Sequence, residues 1–182
     1  MKKHICLLLV FLALLLSACT KDEGFSNDYT TETTAPENSV SVADYGFDLP
    51  DGFVAANGIV GMYESPDYPD DSSNFYASYG DADPYFASYD ASIMADALSR
   101  SLTQQMGEEI AVAVDSLEYT EIDTLPAYRM ELHYTVSGLE LCQLVVSVNA
   151  DYNYTFTWTQ VGEADWMEAF RTSADSLWFR LL

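Results

Sequence analysis

Cys142 and His133 are the two side chains whose types and spacing most readily make chemistry. If Ser137-Gly138 forms a hairpin turn, Val136 pairs with Leu139, and counting back sets His133 directly opposite Cys142 on one face of a sheet. A thiol beside an imidazole is the minimal pairing of a nucleophile with its base. The competing expectation is a plain cross-strand pair, with Cys142 as a small hydrophobe and His133 as a half-exposed strand residue. No third orienting group and no oxyanion hole can be read beside them. No phosphate-binding glycine loop, serine-nucleophile motif or paired-acid motif can be recognised either, although 29 acids guarantee that some carboxylates lie in close pairs by chance. The chain is therefore expected not to be an enzyme, with a Cys142/His133 hydrolase as the exception to test.

Oxygen ligands are more abundant. Asp67, Asp70, Asp71, Asn74, Asp81 and Asp83 crowd one region, and hard cations such as calcium take several oxygens. The calcium-loop pattern is missing, however: counted from Asp81, Phe86 stands where glycine is needed and Ser92 where glutamate is needed. A solvated acidic loop without a cofactor is the main expectation, and a calcium-like site on Asp67, Asp70, Asp71, Asp81 and Asp83 the alternative. Zinc does not fit a domain with one histidine and one cysteine. Among the acids stand Tyr68, Tyr76, Tyr79, Tyr85 and Tyr89. Such rings suit a binding surface, since tyrosine gives large contact area at low entropic cost. Strand alternation would instead bury one ring in two.

Charge narrows the partners. All 29 acids follow Cys19, and only Lys21, Arg100, Arg129, Arg171 and Arg180 oppose them there, a formal charge of −24. A nucleic-acid partner needs a basic footprint and is excluded. A protein or cationic partner remains compatible, and the acidity also keeps a protein soluble.

These residues need elements to hold them. The alternation of Tyr128, Met130, Leu132, Tyr134 and Val136, then Leu139 to Val148, then Tyr152, Tyr154, Phe156 and Trp158 predicts an antiparallel meander. An earlier strand is expected within Val114 to Ile122, and others at Tyr45, Ile59 to Tyr63 and Phe75 to Tyr79. Met94, Leu98, Leu102 and Met106 recur every four residues, predicting an amphipathic helix near 90–106, with Asp90 as N-cap and Gly107 as stop. Trp166, Phe170, Ala174, Leu177 and Trp178 predict a C-terminal helix near 164–179, with Asp165 and Glu168 as its capping pair. Phe75-Tyr76-Ala77-Ser78-Tyr79 recurs as Tyr85-Phe86-Ala87-Ser88-Tyr89, too short a repeat for a solenoid.

The N-terminus carries a destination. Met1-Lys2-Lys3-His4 is basic, and Ile5 to Leu16 is an apolar run too short to span a bilayer. Leu16-Ser17-Ala18-Cys19 follows, and this segment resembles the signal sequence and lipobox of bacterial lipoproteins. The resemblance implies a signal peptide over 1–18, cleavage before Cys19, and a diacylglyceryl and acyl anchor there. The partner is then the cell membrane, reached through lipid, with the protein on its extracytoplasmic face. Residues 19–41, rich in Thr, Ser and acids, are expected to be a disordered tether, and 42–182 the domain.

Tyr45-Gly46-Phe47-Asp48-Leu49-Pro50-Asp51-Gly52-Phe53, the Tyr152-to-Thr159 strand and the closing aromatic helix resemble the PsbP-like superfamily. The resemblance implies an α+β fold, an α/β/α sandwich around an antiparallel meander sheet. It also implies a binding or accessory role at the cell envelope rather than catalysis. The acidic, tyrosine-rich stretch from Glu64 to Tyr89 departs from that pattern and is the expected contact surface.

Lipidation is directly testable. A Cys19→Ala chain is expected to leave the membrane fraction of exporting cells, and its full retention there would refute the anchor.

Overall fold

The computed structural model describes residues 40–182. The expected signal peptide, Cys19 and all but the last two residues of the expected tether lie outside the described residues.

Alternation builds most of the chain. The elements in order are β1 (Val42–Gly46), β2 (Val54–Ala55), β3 (Met62–Glu64), β4 (Asn74–Asp81), α1 (Ala91–Met106), β5 (Ala113–Ile122), β6 (Leu125–Val136), β7 (Leu139–Asn149), β8 (Tyr152–Val161), α2 (Met167–Asp175) and β9 (Trp178–Leu181). Seven strands form one antiparallel sheet in the order β2-β3-β4-β8-β7-β6-β5, and β1 pairs with β9 in a separate ribbon.

Tight turns fix the register. Ser137 and Gly138 take φ of 50° and 81°, a backbone that matches strand twist, and Val136 pairs with Leu139 as the spacing predicts. Asp123 and Thr124 turn the preceding hairpin with φ of 48° and 71°, without a glycine. Asp123 has a second role: its carboxylate accepts the Phe179 N–H at 2.7 Å, tying the turn to β9.

The central strands are buried on both faces, so each face needs a cover. On one side Met130, Leu132, Tyr134, Leu141 and Val145 pack with Leu98 and Leu102 of α1. On the other, Leu144, Val146, Phe156 and Trp158 pack with Phe170 and Ala174 of α2 and Phe179 of β9. This is the expected α+β sandwich. Its second cover is a helix and a ribbon together, where the periodicity predicted a helix alone.

The C-terminal helix is accordingly shorter than expected. It stops at Asp175, with Ser176 as its C-cap. Beyond it the alternation changes period: Phe179 is buried while Trp178 and Arg180 face solvent. Gly46 makes this ribbon possible, because a Cβ there would lie 2.7 Å from the Trp178 ring. The expected capping by Asp165 is also not what forms. Trp166 occupies the N-cap position, and Gln160 Oε1 accepts the N–H groups of Trp166 and Met167 at 2.8 and 3.1 Å. In α1 the expected caps hold: Asp90 Oδ1 accepts from Ile93 N at 2.9 Å, and Gly107 takes φ of 71°.

The internal repeat is not a structural one. Its first copy lies in β4, whereas Phe86–Ser88 of the second form a 3₁₀ turn. Asp83 sets that turn by accepting the Tyr85 N–H at 2.8 Å.

One hydroxyl fastens three elements. Ser173 Oγ on α2 accepts the buried Trp158 indole N–H at 3.1 Å and donates to the Asp48 carbonyl. Ser173→Ala strands both partners and is expected to cost about 1–3 kcal/mol. A lower urea midpoint at unchanged m-value would report it, and an unchanged midpoint would refute it.

Candidate functional site

The acidic region divides into two groups. Asp67, Asp70 and Asp71 lie in the loop before β4, whereas Asp81 and Asp83 lie at its far end. An eight-residue strand at ~3.4 Å per residue separates them by more than ~20 Å, so they cannot share one cation. Asn74 begins β4 and gives its amide to the Ser72 carbonyl at 3.1 Å. Among the described residues no three His, Cys, Asp or Glu side chains converge as a metal-ligand set.

Asp71 organises the first group. Its carboxylate accepts from Ser65 Oγ at 2.8 Å, Ser73 N at 2.8 Å and the Trp166 indole at 2.7 Å. Burial pushes its carboxyl up, but the hydrogen bonds from Ser73, Trp166 and Ser65 outweigh that and hold it below the usual range. The loop is thereby pinned to the entry of α2. A cleft of about 450 Å³ opens there, walled by Asp67, Asp70, Asp71, Glu163 and Asp165 around Trp166. Asp71 is a structural member of this cleft, since its oxygens are already engaged.

The tyrosines also divide. Tyr76 lies on the α1 side of β4 and Tyr79 on the other, as alternation requires. Tyr68 stands in the acidic loop at 41% exposure, and Tyr85 flanks the 3₁₀ turn at 68%. Tyr89 follows that turn, and its carbonyl accepts the Tyr119 hydroxyl at 2.7 Å. The five do not form one surface.

Register assembles a different cluster. Tyr79 of β4 pairs with Tyr154 of β8 and Asp81 with Tyr152. The Tyr79 and Tyr152 rings meet edge to face at 5.6 Å, Tyr152 meets Tyr154 at 6.3 Å, and Tyr45 of β1 meets Tyr154 at 5.6 Å. Tyr79 is 67% and Tyr152 46% exposed, so the patch is open to solvent. Asp44, Asp81 and Asp151 neighbour it in sequence and register. Asp151 accepts from the Tyr154 hydroxyl at 3.1 Å and from Val42 N at 3.3 Å, while its own N–H donates to the Val40 carbonyl. Burial, then Asp151, pushes the Tyr154 phenol well above its ordinary value, so it stays a neutral donor.

His133 lies opposite Cys142 as the turn predicts. The structure adds the third group that the sequence did not show: Asp115 Oδ2 lies 2.9 Å from His133 Nδ1. The thiol is nonetheless poorly placed to ionise. Burial, then the carboxylates of Glu140, Asp115 and Glu131, push Cys142 up, the reverse of what a nucleophile needs.

No family model matches the chain, and no curated protein matches it. Among solved structures it is similar to cyanobacterial PsbP (CyanoP) from Synechocystis sp. PCC 6803, with a TM-score of 0.56 and 15% identity over 84% of this chain and 99% of that one. LpqN of Mycobacterium tuberculosis, a protein involved in cell envelope biogenesis, aligns with a TM-score of 0.45 and 12% identity, over 79% of this chain and 86% of that one. The fold is PsbP-like, and at such identities the likeness is one of fold. No described helix is long and apolar enough to cross a membrane.

The depressed Asp71 carboxyl has a sign. Its contribution to stability is present above the ordinary value of 3.8 and is lost as pH falls through the lower folded value. The stability gap between the native chain and Asp71→Asn should therefore close as pH drops below about 4. A gap independent of pH between 7 and acid, in matched denaturation series, would contradict this account of Asp71.

Proposed function

We propose that this chain is a lipid-anchored protein of the extracytoplasmic membrane face. It works there by binding, without catalysis, as an accessory of the cell envelope. Its partner is a cationic protein surface, met through Tyr79, Tyr152, Tyr154 and Tyr45.

One observation carries the reading: Tyr79 and Tyr152 touch edge to face in the open, on paired strands rather than on a loop, and are backed by the buried Tyr154 and half-buried Tyr45. Rigid tyrosines lose little entropy on binding, and their faces attract ammonium and guanidinium groups. The nearby Asp81 and Asp151 favour the same sign of partner, whereas Asp44 is paired with Arg180. Asp151 also holds the chain arriving at Val40 and Val42. The patch therefore lies at the end of the domain where the segment from Cys19 enters, which suits a partner in or near the membrane. The Glu64-to-Tyr89 surface contributes Tyr79 and Asp81 to this reading, β8 contributes Tyr152 and Tyr154, β1 contributes Tyr45, and the turn before β8 contributes Asp151.

A photo-crosslinking residue at position 152 of the full chain, in the cells that make it, tests the proposal. One discrete protein adduct is expected, lost in the Tyr79→Ala/Asp81→Lys background. The same probe at Val60, 95% exposed on another loop, should give none. Equal adducts from both positions, or none from 152, would sink the reading.

A further inference from the structure

The two edges of the main sheet are treated very differently. The β2 edge is two residues long, a common way to leave no template for pairing. The β5 edge is ten residues long. Its inner side pairs with β6 from Ala113 to Ile122, and the single irregularity falls between Val114 and Ser116. Ser116 to Ile122 therefore runs in regular register to the end of the strand. Among the described residues no strand and no backbone hydrogen bond occupies its outer side.

A cleft of about 440 Å³ lies beside that edge on the α2 side of the sheet. Its apolar part comes from Ile122, Val146, Ala174 and Leu177, and its acids are Glu118, Glu121 and Asp175. The one cation in the lining, Arg129, is tied to Asp175. On the opposite side of the strand stand Leu117 and Tyr119, the latter 44% exposed. An added strand would lay alternate side chains on these two unlike sides. Lysine or arginine suits the cleft, with its aliphatic stem on the apolar part and its charge among the carboxylates. Apolar side chains suit Leu117 and Tyr119.

We propose that the outer edge of β5 and this cleft form a docking site for an extended segment of a partner protein, alternating basic and apolar residues, which joins the sheet as an eighth strand. Charge decides the occupant. A second copy pairing edge to edge would bring a strand carrying Asp115, Glu118 and Glu121 against an identical one, and like charges across a strand pair are destabilising. A basic strand meets the opposite field. The acids thus protect the edge from self-pairing while leaving it open to one class of partner. This site is independent of the tyrosine patch and shares no residue with it.

The test is a labelled peptide the length of β5 that alternates lysine and valine, titrated against the full chain by fluorescence anisotropy. Saturable binding is expected, with slowed hydrogen exchange over Ser116 to Ile122. N-methylation of every second amide should abolish it, because main-chain hydrogen bonds hold the strand. Glu118→Lys/Glu121→Lys should weaken it about tenfold or more at unchanged circular dichroism. Tyr79→Ala should leave it unaltered, which separates this site from the tyrosine patch. Four results would each overturn the proposal: absence of binding, binding that survives N-methylation, binding that survives the charge reversal, or a concentration-dependent dimer abolished by that reversal.

Discussion

Trp158 imposes the constraint on which the rest of the fold depends. Its side chain is fully buried, yet its indole carries an N–H that must find an acceptor. No neighbour in the sheet supplies one, so the acceptor comes from Ser173, on a helix that begins after the sheet is complete. The same hydroxyl takes the Asp48 carbonyl, which fixes the chain leaving β1. The position of β1 then sets the strand against which β9 pairs. The outer layer that buries Leu144, Val146 and Phe156 is thus placed through one hydrogen-bonded pair in the core.

Cations add to the fastening that Asp123 and Gln160 give that layer. Arg171 of α2 grips Glu131 of β6 through Nε and Nη2 at 2.9 and 2.8 Å, and Arg129 of β6 reaches Asp175 at the end of α2. Arg180 joins Asp44 across the ribbon at 3.0 Å. These pairs are partly exposed, so each adds little stability and mainly sets position. Their larger consequence is electrostatic. Three of the four arginines among the described residues are committed to intramolecular carboxylates, and Arg100 points its guanidinium at the Asp96 carbonyl of its own helix. The acids that remain without a partner set the field that an incoming molecule meets.

How far the sequence discloses this follows from the range of each interaction. The β6–β7 hairpin is legible, since Ser137-Gly138 is a local turn signal and counting from it places His133 against Cys142. The strand expected within Val114 to Ile122 is β5, but its turn into β6 is not legible, because Asp123 and Thr124 adopt positive φ without glycine. Leu177 and Trp178 continue the helical spacing of Trp166, Phe170 and Ala174, so β9 is hidden inside it; only Phe179 against Arg180 betrays the change of period. Asp115 reaches His133 across a bulge, which no count along the strands can anticipate. The tyrosine patch needs the register of β4 against β8, two strands separated by α1 and most of the meander. Composition signalled that tyrosines mattered, and register decided which ones.

Acidity and topology then constrain each other. A long regular edge strand invites pairing with any other chain, and proteins that keep one must make the wrong pairings costly. Here β5 carries Asp115, Glu118 and Glu121 and no lysine. Lysines would oppose one another on self-pairing equally well, so self-avoidance does not choose the sign of the charge. The sign is chosen by the rest of the molecule: with arginines committed to holding the outer layer, a basic edge would be attracted to the acidic surface of every neighbouring copy. An acidic edge on an acidic protein avoids both hazards together, at any density of copies.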